Sequence, residues 1–524
     1  MRLKGRGASL EVDLSGCEYI KQEISVDICI IGAGASGIYL ATQLARKGHL
    51  VALIEAGPIK TVDSNSIGFD PYFEKVHYRG ATHGRYFGMG GSTSNWGGLL
   101  VPHTHFDSNG IQSSKIIWDH IADVVSRTGP TVLAELGYEN GWDFESYAQE
   151  HLGEHFQTLK SYGFITQAPL CLPFSRKNLF GLLKKSQLFK SPPTVFYNAV
   201  AKNWILEAAE DGSARAAKII AVSRNMNKLV VGAKKYIIAS GAIESARILM
   251  ELNGSGGIPP IPPSAAIGSY LADHLSMPIA DVFPDDLACA AAIFAPQFSG
   301  SWMRPFRFLY EGLPLNTPRC FAHFIFSNSS YGFKLAKDIL NAMQKRQLPN
   351  LNLKSTSYGV FELFKFAYKR YAKSALYISP QTPIQLQLDI EQVPVRENRV
   401  FLRDNKDEYG RQMVGISWDI SGEDILNISN AAAQITSKWP GDDVDLPRLL
   451  PKDLIHTNNK PYDAYHPVGT CHMGKDSEAV VDLTLKVRGI ENVWVSSTGV
   501  LPSAGSANPT FTMLCLAQDL VNNV

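Results

Sequence analysis

Apolar and polar positions alternate along this chain with two periods, and they place the elements. An apolar run from Val26 to Ile31 passes through Gly32-Ala-Gly-Ala-Ser-Gly37 into a helical pattern over Ser36–Lys47, and a second apolar run, Leu50–Ile54, ends at Glu55. Strand, glycine turn, helix and strand in that order predict the opening βαβ unit of a doubly wound sheet. Residues 58–84 are turn-rich, with Gly68, Pro71, Gly80 and Gly84, and read as a loop or lid over a site. Residues 110–195 carry helical periodicity and then loops. Short β runs return at Ala199–Leu206, Ala217–Ser223, Lys228–Val231 and Lys235–Ala239, the last opening through Ser240-Gly241 into a helix. Prolines 259, 260, 262 and 263 mark a long connection. Ile384–Ile390 alternates as a half-buried strand, and the tail ends in a strand, Val493–Val495, and a helix, Pro509–Leu520. Together these elements predict an α/β chain. A Rossmann-type cofactor domain is assembled from 1–109, 196–274 and 456–524, and a substrate-binding domain with an antiparallel sheet and helices comes from 110–195 and 275–455.

At 524 residues the chain exceeds one simple core, and 50 basic against 49 acidic side chains leave no global field for nucleic acid. The seven cysteines are scattered without a C-x-x-C pair, which argues against a zinc site or a disulfide framework and fits a reducing cytoplasm. Neither a signal peptide nor a membrane-length apolar run is visible.

The chemistry is suggested by both ends of the chain. Gly32, Gly34 and Gly37 have the spacing that lets a backbone turn approach a pyrophosphate at a helix N-terminus, and Glu55 stands where an acid would meet an unphosphorylated ribose. A bare glycine turn is the plainer reading, and the motif does not separate FAD from NAD. Gly90-Gly-Ser-Thr-Ser-Asn-Trp-Gly-Gly98 could bring further backbone N–H groups to a cofactor. His466 lies in a loop before Pro467; its free pKa of about 6.5 suits a proton acceptor, as it suits any structural histidine. Asn508-Pro509-Thr510 reads as a helix start whose positive end could face an anion, although an Asn508 amide spent on the cap would be lost to substrate.

Between Lys334 and Lys373 nine basic residues (334, 337, 345, 346, 354, 365, 369, 370, 373) interleave with Phe361, Phe364, Phe366, Tyr368 and Tyr371 against two acids. This stretch reads as a helical lid or an oligomer contact, with a peripheral membrane surface as the alternative.

Taken together these pieces resemble the glucose–methanol–choline (GMC) family of flavin oxidoreductases. The resemblance rests on Gly32–Gly37 with Glu55, Gly90–Gly98, Ile238–Ser245, Gly268–His274, His466–Gly474 and Asn492–Thr512 in this order. It implies FAD as cofactor and hydride transfer from an alcohol to flavin N5. His466 would be the base and Asn508 its partner. The cofactor would be held by Gly32, Gly34, Ala35, Ser36, Gly37, Glu55 and Ala56, by Gly90, Gly91, Ser92, Asn95, Trp96 and Gly97, and by Val200 on the adenine-facing strand. Ser240, Gly241, Ser497, Thr498, Pro509 and Thr510 complete that set. Ser94–Trp96, Glu391–Gln392 and Ala507–Thr512 resemble the pyranose-oxidase side of the family. That side implies a sugar, amino-sugar or polyol substrate, with Gln392 and Tyr465 as candidate contacts and oxygen or a quinone-like molecule as electron acceptor. Asn95 stands where several members carry a histidine bonded to the flavin, so FAD is expected to be non-covalent. Ser497 replaces an acid common at its position. A non-redox lyase or photochemical enzyme on the same fold, or a membrane-docked electron-transfer subunit, are the competing readings.

Overall fold

The computed structural model describes all residues except 1–10, 17–21, 112–113, 142, 211, 256–258, 328–352, 380–381, 442–443 and 455–459. Lys334, Lys337, Lys345 and Arg346 of the basic stretch therefore lie outside the described residues.

The cofactor-side sheet has eight strands. Glu11–Asp13, Thr194–Tyr197, Val51–Ile54, Gln22–Ile31 and Lys228–Ile238 run parallel in that spatial order, and Ala214–Val222 and Val200–Ala208 continue antiparallel. The predicted strands Lys228–Val231 and Lys235–Ala239 are one strand of 11 residues. Its first half pairs with Ala214–Val222 and its second half with Val493–Val495, so the polar centre at Lys234 and Lys235 is spanned by continuous pairing with Gln22–Ile31. The helix Ala35–Arg46 is buried along ten of its twelve residues because the closing helix Pro509–Asn523 packs on it, with Tyr39 donating to Gln518.

The second sheet has seven strands, Leu449–Pro451, His274–Val282, Ile384–Glu391, Cys320–Phe326, Arg307–Tyr310 and Phe164–Gln167 in order, with Tyr462–Asp463 beside His274–Val282. Its pairings are antiparallel. The α/β class with an antiparallel second sheet is as expected.

The segment 110–195 does not sit wholly with the second sheet. Helix Lys115–Glu135 lies on the closing helix, where Thr128 donates to the Cys515 carbonyl and Arg127 pairs with Asp519 at 2.7 Å, and Thr194–Tyr197 is a strand of the cofactor sheet. An apolar stripe through Ile117, Ile121, Val124 and Val125 needs a partner, and the closing helix supplies it. A four-stranded sheet of short strands, Gln297–Ser299, Trp302–Arg304, Leu170–Cys171 and Leu99–Leu100, joins the two halves.

Candidate active site

A cavity of about 610 Å³ opens between the parallel strand ends and the second sheet. That is where ligands enter doubly wound sheets. Gly32 adopts φ +105°, and a Cβ there would lie 2.6 Å from the Ala239 carbonyl oxygen. A Cβ on Gly37 would lie 1.8 Å from the Gly32 carbonyl oxygen. Gly37 therefore locks helix to strand and stays out of the cavity wall, unlike Gly32. Gly34 is different again: its missing Cβ would meet nothing within 4 Å, and it lines the cavity as the N-cap of a helix with no side-chain cap. A helix N-terminus opening on empty space is an anion site by geometry and dipole. Gly97 and Gly241 likewise border open space in this wall, while Gly90, expected as a contact, is set back behind Gly91 with φ +99° and Asn178 against its Cα.

Glu55 lines the cavity and is buried, and its carboxylate accepts three backbone N–H bonds, from Ala33 (2.7 Å), Gly57 (2.8 Å) and Gly88 (2.8 Å). It ties the glycine turn, its own strand end and the second glycine loop together, leaving Oε2 one acceptor direction toward the cavity. Burial raises its pKa, opposed by those three bonds.

Ala35, Ser36, Ala56, Ser92, Asn95 and Trp96 line the same cavity, as do Ser240, Thr498, Pro509 and Thr510. Besides Gly37 and Gly90, three expected contacts do not. The Val200 side chain turns into a small core with Ile67, Phe69, Phe87 and Tyr409, and its neighbours Ala199 and Ala201 face the cavity, as strand alternation requires. Ser497 is buried behind the wall with no partner for its hydroxyl, between Ser496 and Thr498, which line it. Gln392 is spent on the fold: Trp418 donates to its Oε1 and its amide donates to the Asp419 carbonyl. Tyr465, the other expected substrate contact, lines the cavity at φ +65° under the Arg79 guanidinium. Arg85, Glu244 and Arg411, unforeseen from sequence, also line the cavity, paired with one another or with Glu251.

At the opposite end of the cavity His466 and Asn508 meet. His466 Nε2 and Asn508 Nδ2 are 3.1 Å apart, and His466 Nδ1 lies 3.1 Å from Nδ1 of His274. The other nitrogen of His274 is 2.9 Å from the Gly505 carbonyl oxygen. A carbonyl accepts only, so His274 Nε2 bears its proton and Nδ1 is an acceptor. His466 must then donate from Nδ1, which leaves the Nε2 lone pair facing Asn508 and the cavity. Burial and the adjacent His274 push the His466 pKa down to about 3, and burial pushes His274 down to about 4, so both rings are neutral at pH 7. The His466 backbone N–H is held at 2.9 Å by both oxygens of Asp273, which also accepts from His274 N–H and the Tyr78 hydroxyl.

The Asn508 side chain makes no cap bond to its helix; its Oδ1 is buried without a partner. The Asn508 amide is therefore not spent on the cap; its nitrogen meets His466 instead, and the uncapped helix start at Pro509 faces the cavity. The loop before it is fixed at nearly every polar group. Glu391 accepts from Ser503 Oγ (2.6 Å) and Gly505 N (3.0 Å), Asp107 from Ser506 N (2.6 Å), and Arg307 donates to Ser506 O (2.6 Å). His103 lies 2.8 Å from Ala504 O, and burial raises Glu391 to about 7. His274, Asp273, Asp107, Arg307 and His103 had no assigned role in the sequence. A histidine opening a strand immediately after an Asp was the one available signal.

Against protein families, residues 394–517 match the GMC oxidoreductase family model and residues 30–82 the NAD(P)-binding Rossmann-like domain. Over these segments the chain is similar to GMC oxidoreductases. It is 42% identical over 55 residues to an alcohol dehydrogenase [acceptor] of Pseudomonas putida, a match covering 10% of each protein. An uncharacterised GMC-type oxidoreductase of Mycobacterium tuberculosis matches over 9% of its length, so the chain spans about a tenth of these curated relatives. An oxygen-dependent choline dehydrogenase of Pectobacterium carotovorum is 22% identical across 95% of this chain and 94% of its own. Among solved structures, pyridoxine 4-oxidase from Mesorbium loti has a TM-score of 0.57 at 16% identity over 95% of this chain and 98% of that one. A formate oxidase from Aspergillus oryzae has 0.55 at 16% identity over 95% and 97%. The residues present fit FAD: an open helix N-terminus at Gly34, a carboxylate at Glu55, and walls at Gly97 and Gly241 that a side chain would fill.

Proposed function

We propose that this GMC oxidoreductase removes a hydride and a proton from an alcohol group of a sugar, amino sugar or polyol, giving the carbonyl compound. The observation that carries the reading is the His466–Asn508 pair, with an unprotonated Nε2 opening on a cavity that also receives two uncapped helix starts, at Gly34 and at Pro509. Bound FAD supplies the acceptor for the hydride.

His466 Nε2 takes the hydroxyl proton, and the Asn508 amide donates to the substrate oxygen as that oxygen turns into an alkoxide. A ring whose pKa is about 3 in the resting cavity gains its proton beside that new negative charge, which offsets the burial that depresses it. The helix start at Pro509 stabilises negative charge in the same end of the cavity. Asn95 has no nucleophilic atom to attach to a flavin, so FAD is held non-covalently and denaturation releases it. Trp96, Tyr86 and Tyr465 line the same cavity as His466 and offer aromatic surface suited to a sugar ring. The electron acceptor that completes turnover is oxygen or a quinone-like molecule.

The test is anaerobic titration of the flavin absorbance with a panel of sugars, amino sugars, polyols and an aromatic primary alcohol such as pyridoxine. Bleaching by a carbohydrate supports the substrate class, and bleaching by pyridoxine alone replaces it with an aromatic alcohol. A flavin that none of them bleaches moves the weight to the non-redox readings. His466→Ala should slow bleaching by about 10²–10⁴-fold while FAD content stays unchanged.

A further inference from the structure

We propose that one face of this protein docks on an anionic phospholipid surface. The helix Leu353–Ala372 exposes Phe364 (70%), Tyr368 (61%) and Tyr371 (84%), spaced i, i+4, i+7 on one stripe, with exposed Lys365 and Lys369 one position further round and exposed Lys373 just past the helix end. An aromatic row flanked by a lysine row is the pattern of a helix lying in a bilayer interface. Among the described residues no helix is long and apolar enough to span a membrane, so the contact is peripheral.

A second segment carries the same signature. Residues 174–190 hold five cations and no acid, and they expose Phe174 (49%) and Leu188 (91%). Arg176, Lys184, Lys185 and Lys190 are exposed there. The two segments hang on the same four-stranded sheet. Arg370 lies over Phe298 at 4.0 Å and donates to the Gly300 carbonyl, and Phe298 N–H donates to Ser374 O at 2.7 Å, which fastens the helix end to the hairpin Gln297–Arg304. That hairpin pairs with Leu170–Cys171, immediately before the second segment, and Ser299–Trp302 share a surface hollow with Arg176. Leu99, on the far edge of the sheet, lines the active-site cavity.

From 174 to 190 and from 362 to 373 there are nine cations against Glu362 alone, in a chain whose net charge is +1. The remainder is therefore acidic and turns away from an anionic surface, so the charge asymmetry orients the molecule as well as attracting it. Aromatic rings beside the cations select a surface with an apolar interior over a plain polyanion.

The experiment is flotation of the FAD-loaded protein with vesicles of phosphatidylcholine alone and with about 30% phosphatidylglycerol, at low and at high salt, beside retention on heparin. Binding to the anionic vesicles only, released by salt, is expected. Lys184→Gln with Lys185→Gln should weaken it ~25-fold, about fivefold for each cation lost. Phe364→Gln, Tyr368→Gln and Tyr371→Gln together should weaken vesicle binding at least ~10-fold and leave heparin retention unchanged. These side chains are exposed, so the variants should keep FAD and their turnover with a soluble dye acceptor. Wild-type protein that stays with neither vesicle, or binds both equally, overturns the proposal. So does a triple aromatic variant that floats like wild type, which would show a surface for an acidic macromolecule instead.

Discussion

His274 is the residue whose removal tests the reading of the site most sharply, because it contacts His466 without lining the cavity itself. In His274→Leu the apolar side chain occupies the site without a polar atom. Two buried groups lose their partners, His466 Nδ1–H and the Gly505 carbonyl. Leaving a buried polar group unpaired costs about 1–3 kcal/mol. The His466 side of that cost is avoidable: the ring can move its proton to Nε2 or rotate, and either change removes the lone pair from the cavity. If the unproductive form is favoured by ~1–3 kcal/mol, the reactive fraction falls about 5- to 150-fold. The loss should appear in the limiting rate of anaerobic flavin reduction at saturating substrate, with the substrate concentration for half-saturation nearly unchanged. His274→Asn retains an acceptor and should recover part of the rate, which a purely structural role would not predict. A His274→Leu protein with full FAD content that is reduced at the wild-type rate refutes the tautomer argument.

Four further outcomes follow from the geometry. Gly34→Ala places a methyl in open cavity at φ −78°, so the apoprotein should fold normally and hold FAD less tightly, whereas Gly37→Ala meets a backbone oxygen and should fail to fold; melting curves with and without added FAD separate the two. Glu55→Gln replaces an acceptor oxygen with an amide donor and strands at least one backbone N–H, so FAD retention should fall about tenfold with a lowered melting temperature. Asn508→Ala should slow flavin reduction ~10- to 100-fold without loosening the closing helix, because its side chain caps nothing. The pH dependence of stability should change when one shifted group is removed. Glu391, raised to about 7 by burial, holds a proton in the folded protein between about pH 6.5 and 5.5 that the unfolded chain lacks, so it adds stability that grows as pH falls through that window. Glu391→Gln removes that contribution, and its urea-titration stability should fall relative to wild type by up to ~1.4 kcal/mol per pH unit there.

What the sequence disclosed and what it withheld divide along a physical line. Gly32, Gly34, Gly37 and Glu55 were legible because their demands are local: a turn, a close approach and a strand end lie within 24 residues. The closing helix start was legible for the same reason, since Asn-Pro is a signal carried in two adjacent residues. The fate of the Asn508 side chain was not, because capping and a free amide differ only in whether His466 stands 3.1 Å away. Val200 was misassigned by one position along an alternating strand. The side that faces the cavity is fixed by pairing with Ala214–Val222 and by the Phe69–Phe87–Tyr409 cluster, neither of which is near it in sequence. Gln392 looked free for substrate until Trp418 and Asp419, both 26 or more residues away, claimed both ends of its amide. His274 shows the same limit from the other direction. Alone it is a buried histidine at the start of a strand. Its meaning comes from the register that sets it opposite Glu391, from Gly505 lying 231 residues on, and from His466 lying 192 on. Glu391 and His274 thus grip the 503–508 loop from neighbouring strands, and the base and its amide partner inherit their orientation from that grip. Side chains that do chemistry can be read from short motifs, whereas those that fix a proton's position depend on long-range pairing.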